Sequence, residues 1–487
     1  MVKPSFLALF LRIEGLGRCV KVFERYLKRE NVFSMRHSEF KPRNKRAKSA
    51  VIRPVAMPAA PANDEKRQKT PKVLEAFSEL WKALFTSPVH LDSALSKQPP
   101  RMKGILAQIV PSILLRPASQ AESLGVGVPE NEPWSLDEKR LVNWRPAHLM
   151  VERLYEMMSQ KWPDLRPNLS DFPSWMTDEW KATWEPNVVN ELVDVLGREA
   201  PLSLRASREL GSKELLKELT AGSRLPTQAQ VSQFAPFGVR LAGYAPVMNT
   251  ELYKSGAFEI QDEGSQLMAL FALWPQKYGS LLQETPGRVS KNIPDVLVGI
   301  NPKAAPGVVP AVVIDTCAGA GGKSLAIADA LAGKARVYAY DVSEKKLQAL
   351  RRRSTRMKLN NIQAVLVREG NESEIVERFK AKADVVLVDA PCSGWGVLRR
   401  NPDIKWRQKR DVLNRMPDIQ LRLLTAYSGL VAPGGRLVYG VCTFRAAETK
   451  EVVHRFLELH PTFQAVEGGY LGPGPCDGFF MQAFIRK

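Results

Sequence analysis

Short apolar segments alternate with helical segments from Ala311 onward, and this alternation is the feature that most constrains the fold. Strands that alternate with helices form an open parallel sheet covered by helices. The segment Gly478–Phe484 predicts one more strand, at the edge of that sheet. The other predicted strands are Val312–Asp315, Arg336–Asp341, Ala364–Arg368, Asp384–Asp389 and Arg436–Val441. The predicted helices lie near Lys323–Leu331, Glu344–Lys358, Ile419–Val431 and Ala446–Leu459.

The rest of the chain divides into regions of different composition. Residues 1–70 are basic and carry no hydrophobic periodicity over most of their length, which predicts disorder. Apolar residues three and four positions apart predict a helical domain over 71–162. Residues 163–274 mix helices with short strands and predict a small α+β adaptor, and 275–310 predict an insertion or linker. The predicted fold class is therefore α/β, with a Rossmann-like catalytic domain at 311–487 that follows the helical domain and the adaptor along the chain.

Composition narrows the class of partner. The chain has 487 residues and a formal charge of +19, an excess that favours a polyanion and above all nucleic acid. Its five cysteines include no close pairs, which argues against a disulfide framework or a zinc site and for a reducing compartment. No apolar run approaches the length of a membrane span. We therefore expect a cytoplasmic monomer with no metal.

Two cysteines follow predicted strands, and their positions suggest chemistry. Cys392 lies in the string Asp389–Gly394, and Cys442 lies in the string Tyr439–Phe444. A parallel sheet binds ligands at the carboxyl ends of its strands, so both thiols can face one pocket. A single strand-end cysteine is usually a small core residue. Two thiols and the Asp389 carboxylate together favour covalent attack on an electron-poor ring.

A glycine-rich loop, Asp315–Ser324, joins the first strand to the first helix. Such loops let the backbone approach a ligand at a helix N-terminus, although many nucleotide-binding proteins share this feature. A Walker A loop requires glycine five positions before Gly322, where this chain has Cys317, and the dinucleotide fingerprint would need a glycine at Ser324. Asp341 ends the second strand, where a carboxylate either binds ribose hydroxyls or caps the next helix.

A basic run with two tryptophans follows Cys392 and extends from Gly394 to Arg410. Charged runs are usually solvated surfaces. Cations that bind phosphates beside aromatic rings that stack on bases are also typical of single-stranded RNA recognition. We favour the second interpretation, which assigns RNA contacts to Arg399, Arg400, Lys405 and Arg407.

These strings together resemble a known family. The Gly-Gly-Lys loop, the Asp-Ala-Pro-Cys string and the strand-end Cys-Thr resemble the RNA 5-methylcytosine methyltransferases of the Nop2/NSUN/Fmu family. Gln261–Gln266 is similar to the family's lead-in to its catalytic domain, and Asp477–Phe480 is similar to its last strand. The helical region at 71–162 is similar in position to the NusB-like domain of the ribosomal RNA small-subunit methyltransferase B (RsmB) enzymes.

The resemblance implies S-adenosylmethionine as cofactor and small-subunit ribosomal RNA as partner. It implies that Cys442 is the nucleophile, that Cys392 assists product release and that Asp389 acts on the base. The cofactor contacts implied are Cys317, Ala318, Gly319, Ala320, Gly321, Gly322, Lys323, Asp341, Asn371 and Asp389.

Three departures from the family pattern bear on cofactor affinity more than on catalysis. Ala320 stands where the family usually has proline, and Asn371 stands where it has an aspartate. The segment 275–310 is longer than the family's usual connection. None of these positions belongs to the catalytic trio Asp389, Cys392 and Cys442.

The predicted activity is methylation of carbon 5 of a cytosine in RNA through a covalent bond to Cys442. Three alternatives stay open from the sequence. The substrate can be transfer RNA; the enzyme can act on DNA with Cys392 as nucleophile, which leaves Cys442 without a role; or the protein can be a ribosome-assembly factor that binds RNA without methylating it. The intact Asp389, Cys392 and Cys442 argue against the last alternative.

Overall fold

The computed structural model describes residues 64–86, 91–128, 133–134, 138–157, 165–221, 228–242, 245–287, 309–368 and 372–487. Three of the predictions fall partly or wholly outside these residues. The first is the disorder of segment 1–70, of which only residues 64–70 are described, and these begin a helix. The second concerns the later part of segment 275–310, and the third is the cofactor contact at Asn371.

The helical region buries a core of its own. Phe77, Trp81, Ile109 and Leu154 are among its buried members, and they follow the three-and-four spacing of the sequence. Three of the helices have proline in their first turn, where the missing N–H group has no helical partner to lose. The helices are α1 (Asp64–Thr86), α2 (Leu91–Ser96), α3 (Pro100–Leu115), α4 (Pro117–Ser123), α5 (Glu138–Val142) and α6 (Arg145–Glu156).

The middle region carries a small antiparallel sheet with strand order β2-β3-β1-β4. Leu204, Val239 and Phe258 are buried in a cluster that also includes Leu215 of a neighbouring helix. Helices mixed with short strands are what the sequence predicted for residues 163–274. The elements are α7 (Ser174–Thr183), α8 (Pro186–Leu196), β1 (Leu202–Ala206), α9 (Ser212–Ala221), β2 (Ala229–Val231), β3 (Gly238–Leu241), α10 (Glu251–Lys254) and β4 (Phe258–Ile260).

The C-terminal region is a seven-stranded sheet with strand order β10-β11-β9-β8-β5-β6-β7. Strands β5 to β9 pair in parallel, and β11 and β10 are antiparallel. The strands are β5 (Val312–Asp315), β6 (Arg336–Asp341), β7 (Ile362–Leu366), β8 (Ala383–Asp389), β9 (Val431–Val441), β10 (Phe463–Leu471) and β11 (Phe479–Arg486). The helices are α11 (Glu263–Leu273), α12 (Pro275–Tyr278), α13 (Gly322–Ala330), α14 (Glu344–Arg356), α15 (Glu372–Phe379), α16 (Ile404–Arg407), α17 (Arg410–Leu413), α18 (Met416–Ser428) and α19 (Lys450–Leu459). The mixed α/β sheet agrees with the sequence prediction.

The sequence predicted that the last strand lies at the edge of the sheet, and this prediction is wrong. Strand β11 lies between β9 and β10, and β10 forms the edge. Strand β10 is not evident in the sequence, because Gly468 and Gly469 interrupt its alternation and a β-bulge shifts its register there.

Helix α11 packs on the large sheet, although the sequence analysis assigned it to the adaptor. All of its residues are buried, which is typical of a helix that is apolar on every side. It shares a core cluster with Val313 and Leu387 of the sheet. The residues after it also belong to this body, because Tyr278 and Leu281 are buried and Gln283 exchanges backbone hydrogen bonds with Tyr470. Among the described helices, none has the length and apolarity that crossing a membrane demands.

Gly396 lies where three segments of the C-terminal region meet. Its N–H donates to the carbonyl oxygen of Cys442 over 3.0 Å, and its own carbonyl accepts from the N–H of Gly478 over 2.8 Å. A β-carbon at Gly396 would lie 1.9 Å from the carbonyl oxygen of Gly478. Only glycine therefore lets the turn after Cys392 approach both the end of β9 and the start of β11.

We expect Gly396→Ala to destabilise the C-terminal region by about 1–3 kcal/mol, because the added methyl group must push two backbone segments apart. Denaturant midpoints of the full chain measure the effect. Gly127→Ala is the matched control, since a β-carbon at Gly127 meets no atom within 4 Å. Equal midpoints for the two variants would show that the Gly396 contact is dispensable.

Candidate active site

Two thiols meet at the carboxyl ends of β8 and β9. These strands pair in parallel with Asp389 opposite Gly440, so the residues that follow each strand come close together. Cys392 Sγ lies 3.3 Å from Cys442 Sγ. Cys392 is fully buried and Cys442 is half-buried. Of the two thiols, Cys442 is the one that an incoming ring can reach.

The loop that carries Cys392 is held by polar contacts on both sides. The N–H of Ser393 donates to Glu448 Oε2 over 2.8 Å, and Ser393 Oγ lies 2.7 Å from Thr443 Oγ1. Gln420 Nε2 donates to the carbonyl of Pro391 over 2.8 Å. These contacts hold Pro391 and Ser393, the residues on either side of Cys392, and so fix the position of Cys392. Sequence reasoning missed Gln420 and Glu448. Gln420 is a polar residue between apolar helical neighbours, whereas Glu448 is followed by polar residues and gives no such signal.

The protonation of Cys392 follows from its surroundings. Burial raises the pKa of the Cys392 thiol well above its ordinary value, and the hydrogen bond and charge of Cys442 raise it further. Cys392 is therefore a protonated thiol at neutral pH. It can donate its S–H to Cys442 rather than attack a ring itself.

An ion pair lies beside the thiols. Lys323 Nζ, in the first turn of α13, donates to Asp389 Oδ2 over 2.6 Å. Burial by itself lowers the pKa of Lys323, but the charge and hydrogen bond of Asp389 outweigh it and leave that pKa raised, with a further contribution from the charge of Cys442. Lys323 is therefore a permanent cation next to both Asp389 and Cys442, as a reactive thiolate requires.

Asp315, at the end of β5, is a second carboxyl group in the same interior. Its Oδ2 accepts a hydrogen bond from Ser324 Oγ over 2.6 Å, and its Oδ1 is buried with no hydrogen-bond partner. Burial raises the pKa of Asp315 to about 7; the Ser324 hydrogen bond opposes this effect and the charge of Asp389 reinforces it. The neighbouring Cys317 is only partly exposed, and burial raises the pKa of its thiol.

The glycine-rich loop is fastened to the end of β6. The N–H of Gly319 donates to Asp341 Oδ2 over 2.9 Å, and the N–H of Ser343 donates to Asp341 Oδ1 over 2.8 Å. Gly319 and Gly321 have positive φ angles of 58° and 92°, which favour glycine. A β-carbon at Gly319 would meet no atom within 4 Å, so the loop faces open space.

The remaining surface at the end of β6 suits a nucleoside. Each carboxylate oxygen of Asp341 accepts one backbone hydrogen bond and keeps a further lone pair for a hydroxyl group. Val342 is 36% exposed directly after Asp341 and offers an apolar contact for a flat ring. Among the described residues, no group of three or more His, Cys, Asp and Glu could hold a metal ion.

The predicted RNA contacts at Arg399 and Arg400 do not agree with the geometry. Arg399 Nε lies 3.1 Å from Asp477 Oδ1, and Arg400 Nη2 lies 2.6 Å from Asp262 Oδ2. Arg400 Nε lies 2.5 Å from Asp477 Oδ2. Both arginines are therefore used inside the protein. They join the segment after Cys392 to the two acidic strings that contributed to the family resemblance.

Lys405 and Arg407, the other two predicted RNA contacts, also have partners inside the protein. Lys405 is 2% exposed, and its Nζ donates to two carbonyl oxygens. Arg407 Nε lies 3.6 Å from Asp403 Oδ2, and the Arg407 side chain is only 14% exposed. The basic run after Cys392 is therefore largely a structural element, since a phosphate contact requires a cation at the surface.

The raised pKa of Asp315 predicts an unusual pH dependence. Because the pKa is about 7 in the folded protein and 3.8 ordinarily, the folded state holds the proton between these values. Stability from this group is complete below about pH 4 and is lost as the pH rises through 7, by at most about 1.4 kcal/mol per pH unit. Between pH 5 and pH 7.5, the denaturant midpoint should fall by a larger amount for the native chain than for Asp315→Asn. Parallel pH dependence of the two proteins would contradict the assignment.

Comparison with known proteins agrees with this architecture. Residues 308–473 match a family model described as 16S rRNA methyltransferase RsmB/F. A Bacillus subtilis protein named probable ribosomal RNA small subunit methyltransferase B is 30% identical over 295 residues, which cover 60% of this chain and 57% of that protein. The Klebsiella pneumoniae ribosomal RNA small subunit methyltransferase B is 29% identical over 331 residues, which cover 65% of this chain and 66% of that protein.

Solved structures show the same fold. The crystal structure of PH0851 has a TM-score of 0.59 at 20% identity and covers 85% of this chain and 98% of its own. NSun6 from Pyrococcus horikoshii has a TM-score of 0.50 at 16% identity and covers 65% of this chain and 98% of its own. The match to the Bacillus relative spans little more than half of that protein's length. Residues 308–473 of this chain are therefore similar to the RsmB/F methyltransferases.

Proposed function

We propose that this protein methylates carbon 5 of a cytosine in small-subunit ribosomal RNA through a covalent bond to Cys442, with S-adenosylmethionine as methyl donor. The observation that carries the proposal is the 3.3 Å separation of the Cys392 and Cys442 sulfur atoms beside the Lys323–Asp389 ion pair. The names of the Bacillus and Klebsiella relatives support ribosomal RNA over transfer RNA as the substrate class.

The residues present fit S-adenosylmethionine. Asp341 has free acceptor positions for the ribose hydroxyls, Val342 offers an apolar contact for adenine, and the loop at Gly319 leaves open space beside the helix N-terminus. When bound, this cofactor supplies an electrophilic methyl group. The Asp341 assignment goes beyond capping, because the side chain of Ser343 and not of Asp341 caps α14.

Cys442 performs the first step. Its thiolate adds to carbon 6 of cytosine, which forms an S–C bond and moves electron density toward carbon 5 and ring nitrogen 3. Lys323 and Asp389 form the ion pair at this point, and a hydrogen bond donated by this pair can stabilise the charge that develops on nitrogen 3. Carbon 5 then becomes nucleophilic enough to take the methyl group.

Cys392 acts in the last step. After methylation, carbon 5 loses its proton to a base and the S–C bond to Cys442 breaks. The departing sulfur gains negative charge, and the protonated Cys392 thiol 3.3 Å away can donate its S–H to it. The DNA-type alternative requires Cys392 as nucleophile, and its complete burial and raised pKa disfavour that role.

The two thiols should fail in different ways. Cys442→Ala should abolish methyl transfer from radiolabelled S-adenosylmethionine to ribosomal RNA, and it should leave no covalent protein–RNA species. Cys392→Ala should still form the covalent bond but release product slowly, so an RNase-sensitive adduct should accumulate on a denaturing gel.

Other outcomes of that experiment select the alternatives. An adduct with Cys442→Ala and none with Cys392→Ala would make Cys392 the nucleophile. Labelling of transfer RNA and not of ribosomal RNA would change the substrate, and RNA binding by the native protein without any methyl transfer would indicate an assembly factor. Cys476→Ala is a matched control, because Cys476 is a buried cysteine in the turn before β11 and is not one of the two thiols in contact.

Asp341→Asn should weaken S-adenosylmethionine binding by about 1–3 kcal/mol, because the amide loses the charge that strengthens hydrogen bonds from ribose hydroxyls. Calorimetry on the full chain measures the affinity. Asp411→Asn, at an exposed position in α17, should bind like the native protein. Native affinity in Asp341→Asn would restrict Asp341 to holding Gly319 and Ser343.

A further inference from the structure

A short segment after the active-site loop contacts the helical region directly. It comprises α16 and the following Gln408, and we refer to these residues, 404–408, as the bridge segment. Trp406 is 8% exposed and belongs to the core cluster of the helical region, not to that of the large sheet. Its ring centroid lies 4.7 Å from that of Trp134 and 5.6 Å from that of Trp81.

The bridge segment satisfies the end of helix α3. The last carbonyl groups of an α-helix have no partner within the helix and carry its partial negative charge. Here Lys405 Nζ donates to the carbonyl of Leu115 over 2.6 Å, and Trp406 Nε1 donates to the carbonyl of Leu114 over 2.8 Å. Two consecutive side chains of the C-terminal region thus cap two consecutive carbonyl groups of the helical region.

Lys405 also contacts Asp171 and Phe172, which lie just before α7. Its Nζ donates to the carbonyl of Asp171 over 2.5 Å and lies 4.4 Å from the ring centroid of Phe172. Burial lowers the pKa of Lys405 to about 7, the charge of Asp171 opposes this effect and the charge of Arg116 adds to it. Three parts of the chain therefore meet at a single buried amine.

The other end of the bridge segment holds the loop that carries Cys392. Gln408 Oε1 accepts from Trp395 Nε1 over 2.8 Å, and Gln408 Nε2 donates to the carbonyl of Ser393. Ser393 follows Cys392 directly and is itself tied to Glu448 and Thr443. Direct contacts thus run from the end of α3, through the bridge segment, to the residue next to the buried thiol.

We infer that Lys405, Trp406 and Gln408 are positioning residues, through which docking of the helical region sets the place of Cys392 relative to Cys442. This inference rests on the proposed function and deepens it, because it makes the product-release step depend on the helical region. A displacement of about 1 Å at a reacting group can lower a rate a hundredfold, and the two sulfur atoms must remain in contact for release.

Lys405→Met and Gln408→Leu test the inference in the full chain. Both should slow multiple turnover about tenfold to a hundredfold, leave single-turnover methyl transfer near the native rate and raise the fraction of RNA in the covalent adduct. Gln408→Leu leaves the contacts to α3 intact, so it remains informative if Lys405→Met folds poorly. The double variant should be no slower than the worse single variant, because both substitutions interrupt one connection.

Lys382→Met is the matched control. Lys382 is exposed and immediately precedes β8, at the end opposite the thiols, and the variant should release product at the native rate. If the native protein methylates RNA and both bridge variants release product at the native rate, the inference is wrong. If the native protein forms no methylated RNA, the proposed function itself fails.

Discussion

The parallel pairing of β8 with β9 is the constraint on which the rest of the site depends. Parallel neighbours end at the same edge of a sheet, so the residues after Asp389 and after Val441 emerge side by side. The sulfur atoms of Cys392 and Cys442 are 3.3 Å apart although fifty positions separate them along the chain. A change of register by one residue would reverse the side-chain direction of either strand and separate the two groups.

Burial and nearby charge then distinguish the two thiol groups. Cys392 is completely buried and therefore protonated, whereas Cys442 is half-buried beside the Lys323 cation. The same interior holds Asp389 as an ion-paired carboxylate and Asp315 as a carboxyl group whose pKa is about 7. Chemically similar side chains therefore have different surroundings here, because burial and partner charge differ over a few ångströms.

The positive charge of the chain is used in more than one way. Arg399 and Arg400 neutralise Asp262 and Asp477 in the interior, where an unpaired charge would be strongly destabilising. Lys405 is held by carbonyl oxygens at the end of a helix and not by a phosphate. Basic residues next to the loop that carries Cys392 therefore join parts of the chain.

Most of the catalytic sheet and the position of the candidate site follow from the sequence alone. Strands β5 and β6 have the predicted bounds, and the strand ends that carry Asp341, Asp389 and Cys442 are where the hydrophobic pattern places them. The pattern is local, because a run of apolar residues followed by a polar strand end needs no distant partner to be recognised. The roles implied for the two cysteines depend on the family resemblance and stay predictions.

Only the tertiary structure decided which polar groups are satisfied internally. Arg399 and Asp477 are 78 positions apart, and Lys405 reaches a carbonyl 290 positions away, so no local pattern shows that these cations are buried. The interior place of β11, the packing of α11 on the sheet and the burial of Cys392 likewise depend on contacts between distant segments. The periodicity of hydrophobic residues shows where a strand or helix lies. The partner of a charged side chain depends instead on which distant segments the fold brings together.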